Sequence, residues 1–131
     1  MKKKVLAFFM ALMLFIIPQT VTANDIDENV ITPRWTYVHS ISATLTVIGF
    51  VSGVVELEDF NDFLLIVQLQ EKDGSSWDTI ETWSIEGNFS GAIEEYCDLD
   101  PDVTYRAKVT AKVFTDLGRL VETVSIYSNT I

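Results

Sequence analysis

The chain has 131 residues, 48% of them hydrophobic, with one cysteine, one histidine and a formal net charge of −10. That size suits one domain around one core, and a lone cysteine excludes an internal disulfide. The acidic balance excludes nucleic acid, because phosphate binding draws on counterions released by clustered cations; anionic membranes and polymers are repelled on the same ground.

The N-terminus reads as an export signal. Lys2, Lys3 and Lys4 precede an apolar run of 13 residues, Val5 to Ile17, and Val21-Thr22-Ala23 supplies a peptidase site. A bilayer span needs about 20 apolar residues, so the expectation is a cleaved signal peptide over 1–23 and a mature protein starting at Asn24. Cleavage leaves 131 − 23 = 108 residues and 9 − 3 = 6 basic side chains against 19 acidic ones, a net of −13. No cysteine at the cleavage site offers a lipid anchor, and Ser128-Asn129-Thr130-Ile131 carries no sorting tail. The expected product is secreted and extracellular, with no membrane attachment in its mature form.

Residues 24–33 are acidic and without period, which predicts a flexible arm ahead of a domain over 34–131. Ile41, Ala43, Leu45 and Val47 then alternate with Ser42, Thr44 and Thr46, the period of a half-buried strand. Gly49 interrupts it, Phe50 to Leu57 gives a second strand, and Glu56, Glu58, Asp59, Asn61 and Asp62 mark a loop. Phe63 to Lys72 is the third strand. Asp73-Gly74 signals a hairpin through its tolerance of positive φ. Trp77 to Ile85 returns, Glu86-Gly87-Asn88 predicts a turn, and Phe89 to Cys97 is a fifth strand. After a loop around Pro101, Val103 to Thr115 alternates most cleanly, and Asp116-Leu117-Gly118 turns the chain into Arg119 to Tyr127. Seven short strands with turn residues between them predict an all-β antiparallel sandwich.

Leu99-x-Pro101-x-x-x-Tyr105-x-Ala107-x-Val109-x-Ala111 resembles the E–F corner of fibronectin type III and immunoglobulin-like domains. That resemblance implies a corner tyrosine at Tyr105, bonded back across the corner, with Leu99 beneath it. The inter-sheet disulfide of antibody-type domains has no counterpart in this chain. A wider resemblance runs through Pro33-Arg34-Trp35, Ile41-Ser42-Ala43-Thr44-Leu45, Leu69-Gln70, Gly74-Ser75-Ser76-Trp77, Thr82-Trp83 and Tyr127-Ser128. These resemble a group of short exported proteins of Gram-positive bacteria, uncharacterised in function; the likeness implies export and this fold and carries no activity.

Catalysis would have to use His39, which sits among Tyr37, Val38 and Ser40 with no nucleophile motif or Cys/His metal spacing anywhere. It reads as an edge-strand residue in a protein that is not an enzyme and needs no cofactor. Calcium takes six to eight oxygens, and Asp98, Asp100 and Asp102 offer a loose Asp-x-Asp-x-Asp. The acidic cluster at 56–62 falls at the opposite end of an immunoglobulin-like order and cannot join it. Turn-forming aspartates give the plainer account.

The aromatic residues suggest a stacking platform. Trp77, Trp83, Trp35 and Tyr37 are the candidate binding residues, with Phe60 and Tyr127 as further rings. Trp77, Thr79, Glu81 and Trp83 share one strand parity, so both tryptophans are expected to point the same way. Arg106, Lys108 and Lys112 form a basic stripe expected to pair with acids such as Glu122. Cys97 reads as a small buried hydrophobe, against an intermolecular bridge. The expected role is a noncatalytic interaction module for an extracellular protein or glycan. The alternatives are a structural component of an envelope or spore assembly, or a secreted hydrolase or inhibitor.

Overall fold

A computed structural model describes the protein from Trp35 to Ile131. The signal peptide expected over 1–23, the arm over 24–33 and Arg34 lie outside the described residues. The described chain is all-β, with seven strands: β1 (Val38–Leu45), β2 (Phe50–Leu57), β3 (Asp62–Asp73), β4 (Ser76–Asn88), β5 (Ser90–Tyr96), β6 (Tyr105–Phe114) and β7 (Leu120–Tyr127). Among the described residues no helix is long and apolar enough to cross a membrane.

All pairings are antiparallel. They build a three-stranded sheet in the order β1-β2-β5 and a four-stranded sheet in the order β4-β3-β6-β7. Alternation assigns the inner faces. In β3, Phe63, Leu65, Val67 and Leu69 are buried, and their register partners in β6 are Val113, Ala111, Val109 and Ala107, buried in turn. The three-stranded sheet answers with Val51, Val55 and Leu57 from β2 and Ile41 and Leu45 from β1. Full burial of each such Val, Leu, Ile or Phe stabilises by roughly 1.5–3 kcal/mol. The two sheets meet closely at Gly53, where a Cβ would collide with the side chains of Val67 and Val109. The result is a sandwich-like fold with one continuous core.

The chain passes from β5 to β6 through a corner. Tyr105, 5% exposed at the start of β6, accepts the Asp100 amide on its hydroxyl oxygen at 3.0 Å. Leu99 is half-buried against the core. Asp100 Oδ1 in turn accepts the Asp102 amide at 2.9 Å, and the Val103 amide donates to the Asp100 carbonyl at 3.1 Å. Cys97 follows β5 directly and is half-buried against the core.

Several local expectations fail. Val47 does not continue the core face of β1; it is 78% exposed in a turn closed by the Gly49 amide on the Thr46 carbonyl. The β3–β4 hairpin, by contrast, forms where Asp73-Gly74 signals it: its loop is Gly74-Ser75, between the paired Asp73 and Ser76, with Gly74 in positive φ. Residues 86–88 do not turn. They continue β4 opposite Leu64, Phe63 and Asp62, and Gly87 is needed because the Phe63 ring fills the space of its Cβ, as it does at Gly91. The chain changes sheets instead at Phe89 alone, in the left-handed region at φ 71°. Its amide donates to the Asn61 carbonyl and its carbonyl accepts the Leu57 amide.

Candidate functional site

A further failed expectation rearranges the aromatic platform. The β3–β4 register runs Lys72↔Trp77, Glu71↔Asp78, Gln70↔Thr79 and then Leu69↔Glu81, so Ile80 is an extra, bulged residue. Side chains alternate along a strand, so one inserted residue moves everything beyond it to the other face. Trp83, opposite the core residue Val67, packs inward. Trp77, opposite Lys72, turns to the outer face of the four-stranded sheet. The two tryptophans that simple parity places together are therefore on opposite sides.

Trp35 and Tyr37 are elsewhere again. They precede β1, half-buried against the core, where Glu122 of β7 holds the backbone. Its carboxylate accepts the amides of Thr36 at 2.9 Å, Tyr37 at 2.8 Å and Val38 at 3.0 Å. Unpaired backbone N–H groups need acceptors, and this side chain serves three at once. Glu122 is thus not the partner of the basic stripe.

That stripe has a different partner, made of rings. On the outer face of the four-stranded sheet the Arg106 guanidinium carbon lies 4.3 Å from the Trp77 ring centroid on one side and 4.0 Å from that of Tyr127 on the other. Lys72 Nζ stands 5.7 Å from the Trp77 ring and Lys108 Nζ 5.8 Å from the Tyr127 ring. Cation and ring alternate through five residues from β3, β4, β6 and β7: Lys72, Trp77, Arg106, Tyr127, Lys108. Register makes this possible. Gln70↔Arg106, Gln68↔Lys108 and Lys108↔Tyr127 bring the outward positions of neighbouring strands side by side.

Polar side chains fix the ladder from beneath. Arg106 Nε donates to Gln70 Oε1 at 2.8 Å, and Gln70 Nε2 donates to Thr79 Oγ1 at 3.1 Å. Gln70 is buried by this arrangement while Tyr127 stays 48% exposed. Stacking on a ring contributes about 0.5–2 kcal/mol per contact, and a bond to a charged donor about 1.5–3 kcal/mol. The guanidinium is therefore held in place before any ligand arrives, with no protein partner for its Nη groups among the described residues.

The remaining candidates do not assemble. No group of three or more His, Cys, Asp or Glu side chains among the described residues is placed to share a metal ion; of Asp98, Asp100 and Asp102, Asp100 spends an oxygen on the Asp102 amide. His39 lies at the bulge between Val38 and Ser40 of the edge strand β1. Its Nδ1 is 3.1 Å from Glu58 Oε2, the one ion-pair contact among the described residues. Phe60, 74% exposed, stacks on Phe89 at 4.8 Å at one end of the sandwich. Residue type alone marked Trp77, Arg106 and Tyr127 separately; nothing short of the register joins them.

No protein-family model matches the chain, and no curated protein matches it.

Proposed function

We propose that this is an exported, noncatalytic binding module on a fibronectin type III-like sandwich, and that it engages its ligand through the outer face of the four-stranded sheet. The fold assignment draws on the Tyr105 corner bond and on the pairing of β4 with β3. In constant-type immunoglobulin domains the fourth strand joins the first sheet instead. Export rests on the signal-like pattern of residues 1–23.

The observation that carries the function is the ladder itself: rings and cations, partly exposed and fixed in position, without an ion pair to an acid among the described residues. Exposed aromatic clusters of this kind mark interaction sites. The lone histidine, exposed and within reach of Glu58, has the surroundings of a surface pair rather than of a base poised by a nucleophile.

The β4 edge favours a second reading, assembly into a larger structure, because its 13 residues leave a long free edge. The bulge at Ile80 and the charges of Asp78, Glu81 and Glu86 blunt that edge, so the ladder is the stronger guide. The test is an NMR titration of the mature protein with a panel of polysaccharides and polypeptides. The Trp77 indole and Arg106 Nε–H signals should shift together on binding. Shifts confined to the Phe60–Phe89 end, or to the β4 backbone, would overturn the assignment.

A further inference from the structure

Resting on that reading of the ladder, we infer that its ligand is a carboxylated polysaccharide, a chain of uronate sugars lying across the sheet. The first argument is where the cations are. From Trp35 onward the chain has five basic residues, Lys72, Arg106, Lys108, Lys112 and Arg119, in a protein of net charge −10. Four of them stand on this one face: Lys72 opposite Trp77, Arg106 opposite Gln70, Lys108 opposite Gln68 and Lys112 opposite Leu64. None forms an ion pair with another described residue. The net charge that repels anions is an average, and this surface is its exception.

The second argument is the state of Arg106. Its plane is fixed between two rings and its Nε is taken by Gln70. The four Nη hydrogens have no protein partner among the described residues. A guanidinium edge of this kind matches the two oxygens of a carboxylate. Its prior immobilisation lowers the entropy cost of binding.

The third argument separates an acidic sugar chain from other anions. The rings of Tyr127 and Trp77 lie in the same stripe as the cations, so a ligand that covers them needs apolar ring faces as well as charge. Gln68, in register between Thr82 and Lys108, offers an amide to hydroxyl groups. Outward positions on β6 repeat every ~6.7 Å, so Arg106, Lys108 and Lys112 spread positive charge along a line instead of concentrating it. That suits a polymer with spaced carboxylates. A dense polyphosphate meets the repulsion of the acids elsewhere on the chain.

The experiment is titration of the mature protein with polygalacturonate, its fully methyl-esterified form and poly-glutamate, followed by calorimetry and by the Trp77 and Arg106 signals. Polygalacturonate should bind, weaken as salt rises, and lose roughly tenfold or more in affinity in Arg106→Gln. The double variant Lys108→Gln/Lys112→Gln, which leaves the Arg106 stack intact, should weaken it too and covers the case in which Arg106→Gln fails to fold. Equal binding of the methyl ester with the same signals shifting would overturn the inference and leave the binding module standing. Tighter binding of poly-glutamate would overturn it in favour of an acidic polypeptide. No binding and no shift at Trp77 or Arg106 across the whole panel would remove both readings.

Discussion

On the outer side of the four-stranded sheet, Lys72, Arg106, Lys108 and Lys112 stand among Trp77, Tyr127, Gln68 and Gln70. The side of the three-stranded sheet turned away from the core carries Ser40, Ser42, Thr44, Ser52, Val54, Glu56, Ala92 and Glu94, with Phe50 and Tyr96 at one end, and Ser42, Ser52 and Phe50 are buried there. The inner sides of both sheets are built alike, from Val, Leu, Ile and Ala. What the two sheets share makes the fold, and they differ on the sides turned away from the shared core. On the first, charge is positive and supported by rings. On the second it is negative, and one carboxylate is held at a disadvantage: Glu94 Oε2 is buried without a hydrogen-bond partner, directly opposite Ser52, whose hydroxyl is buried without one as well. Burial raises the Glu94 pKa above its ordinary value of 4.5.

The contrast can be broken most forcefully at Arg106. Arg106→Glu puts a carboxylate between two ring faces and removes the donor to Gln70, and the expected loss of stability is about 2–3 kcal/mol. Urea denaturation measures it; a loss under half a kcal/mol would mean the stack carries no weight. Tyr105→Phe sharpens the comparison from outside both faces. It deletes the bond to the Asp100 amide and should cost about 1 kcal/mol with ligand affinity unchanged.

Glu94→Gln tests the opposite sheet. The folded protein holds the Glu94 proton more tightly than the unfolded chain does. Stability is therefore greatest below the ordinary carboxylate pKa, falls as pH rises through the raised value, and is flat beyond it. The variant should be the more stable at neutral pH and should lose that slope. A parallel pair of pH–stability curves would show that the carboxyl is not desolvated. Smallest of all, Lys112→Gln alone should change stability by no more than about 0.5 kcal/mol, because Lys112 has no ion pair among the described residues to lose.

Much of this fold is legible in the sequence, for a physical reason. A strand between core and solvent must alternate, and Val103 to Val113 does so without a break, matching β6 and its buried partners. The Tyr105 bond to the Asp100 amide spans five residues; its expectation rests on the resemblance of residues 99–111 to a fibronectin type III corner, not on the spacing. Gly87 was misread because a glycine required by a neighbouring ring looks the same in sequence as one required by a turn. The Ile80 bulge leaves no mark in composition, yet it decides which way Trp77 and Trp83 face. The ladder lay furthest out of reach. Trp77, Arg106 and Tyr127 come from three strands, and only pairing through β3 and β6 makes them neighbours.

The crossing at Phe89 has a consequence for how this molecule can vary. One residue joins β4 to β5, so that connection has no slack. A left-handed φ on a non-glycine residue costs roughly 1–2 kcal/mol, and neighbouring backbone bonds to Asn61 and Leu57 hold it on either side. At the same end of the sandwich, the connections at 58–61 and 115–119 are longer, and Leu117 is 94% exposed at the tip of the second. Insertions and sequence drift accumulate most freely around Leu117, while 58–61 is tied to Phe89 through the Asn61 carbonyl and the Phe60 ring and the third connection stays at a single residue. A library built on this scaffold would randomise 116–118 and leave 58–61 and Phe89 alone.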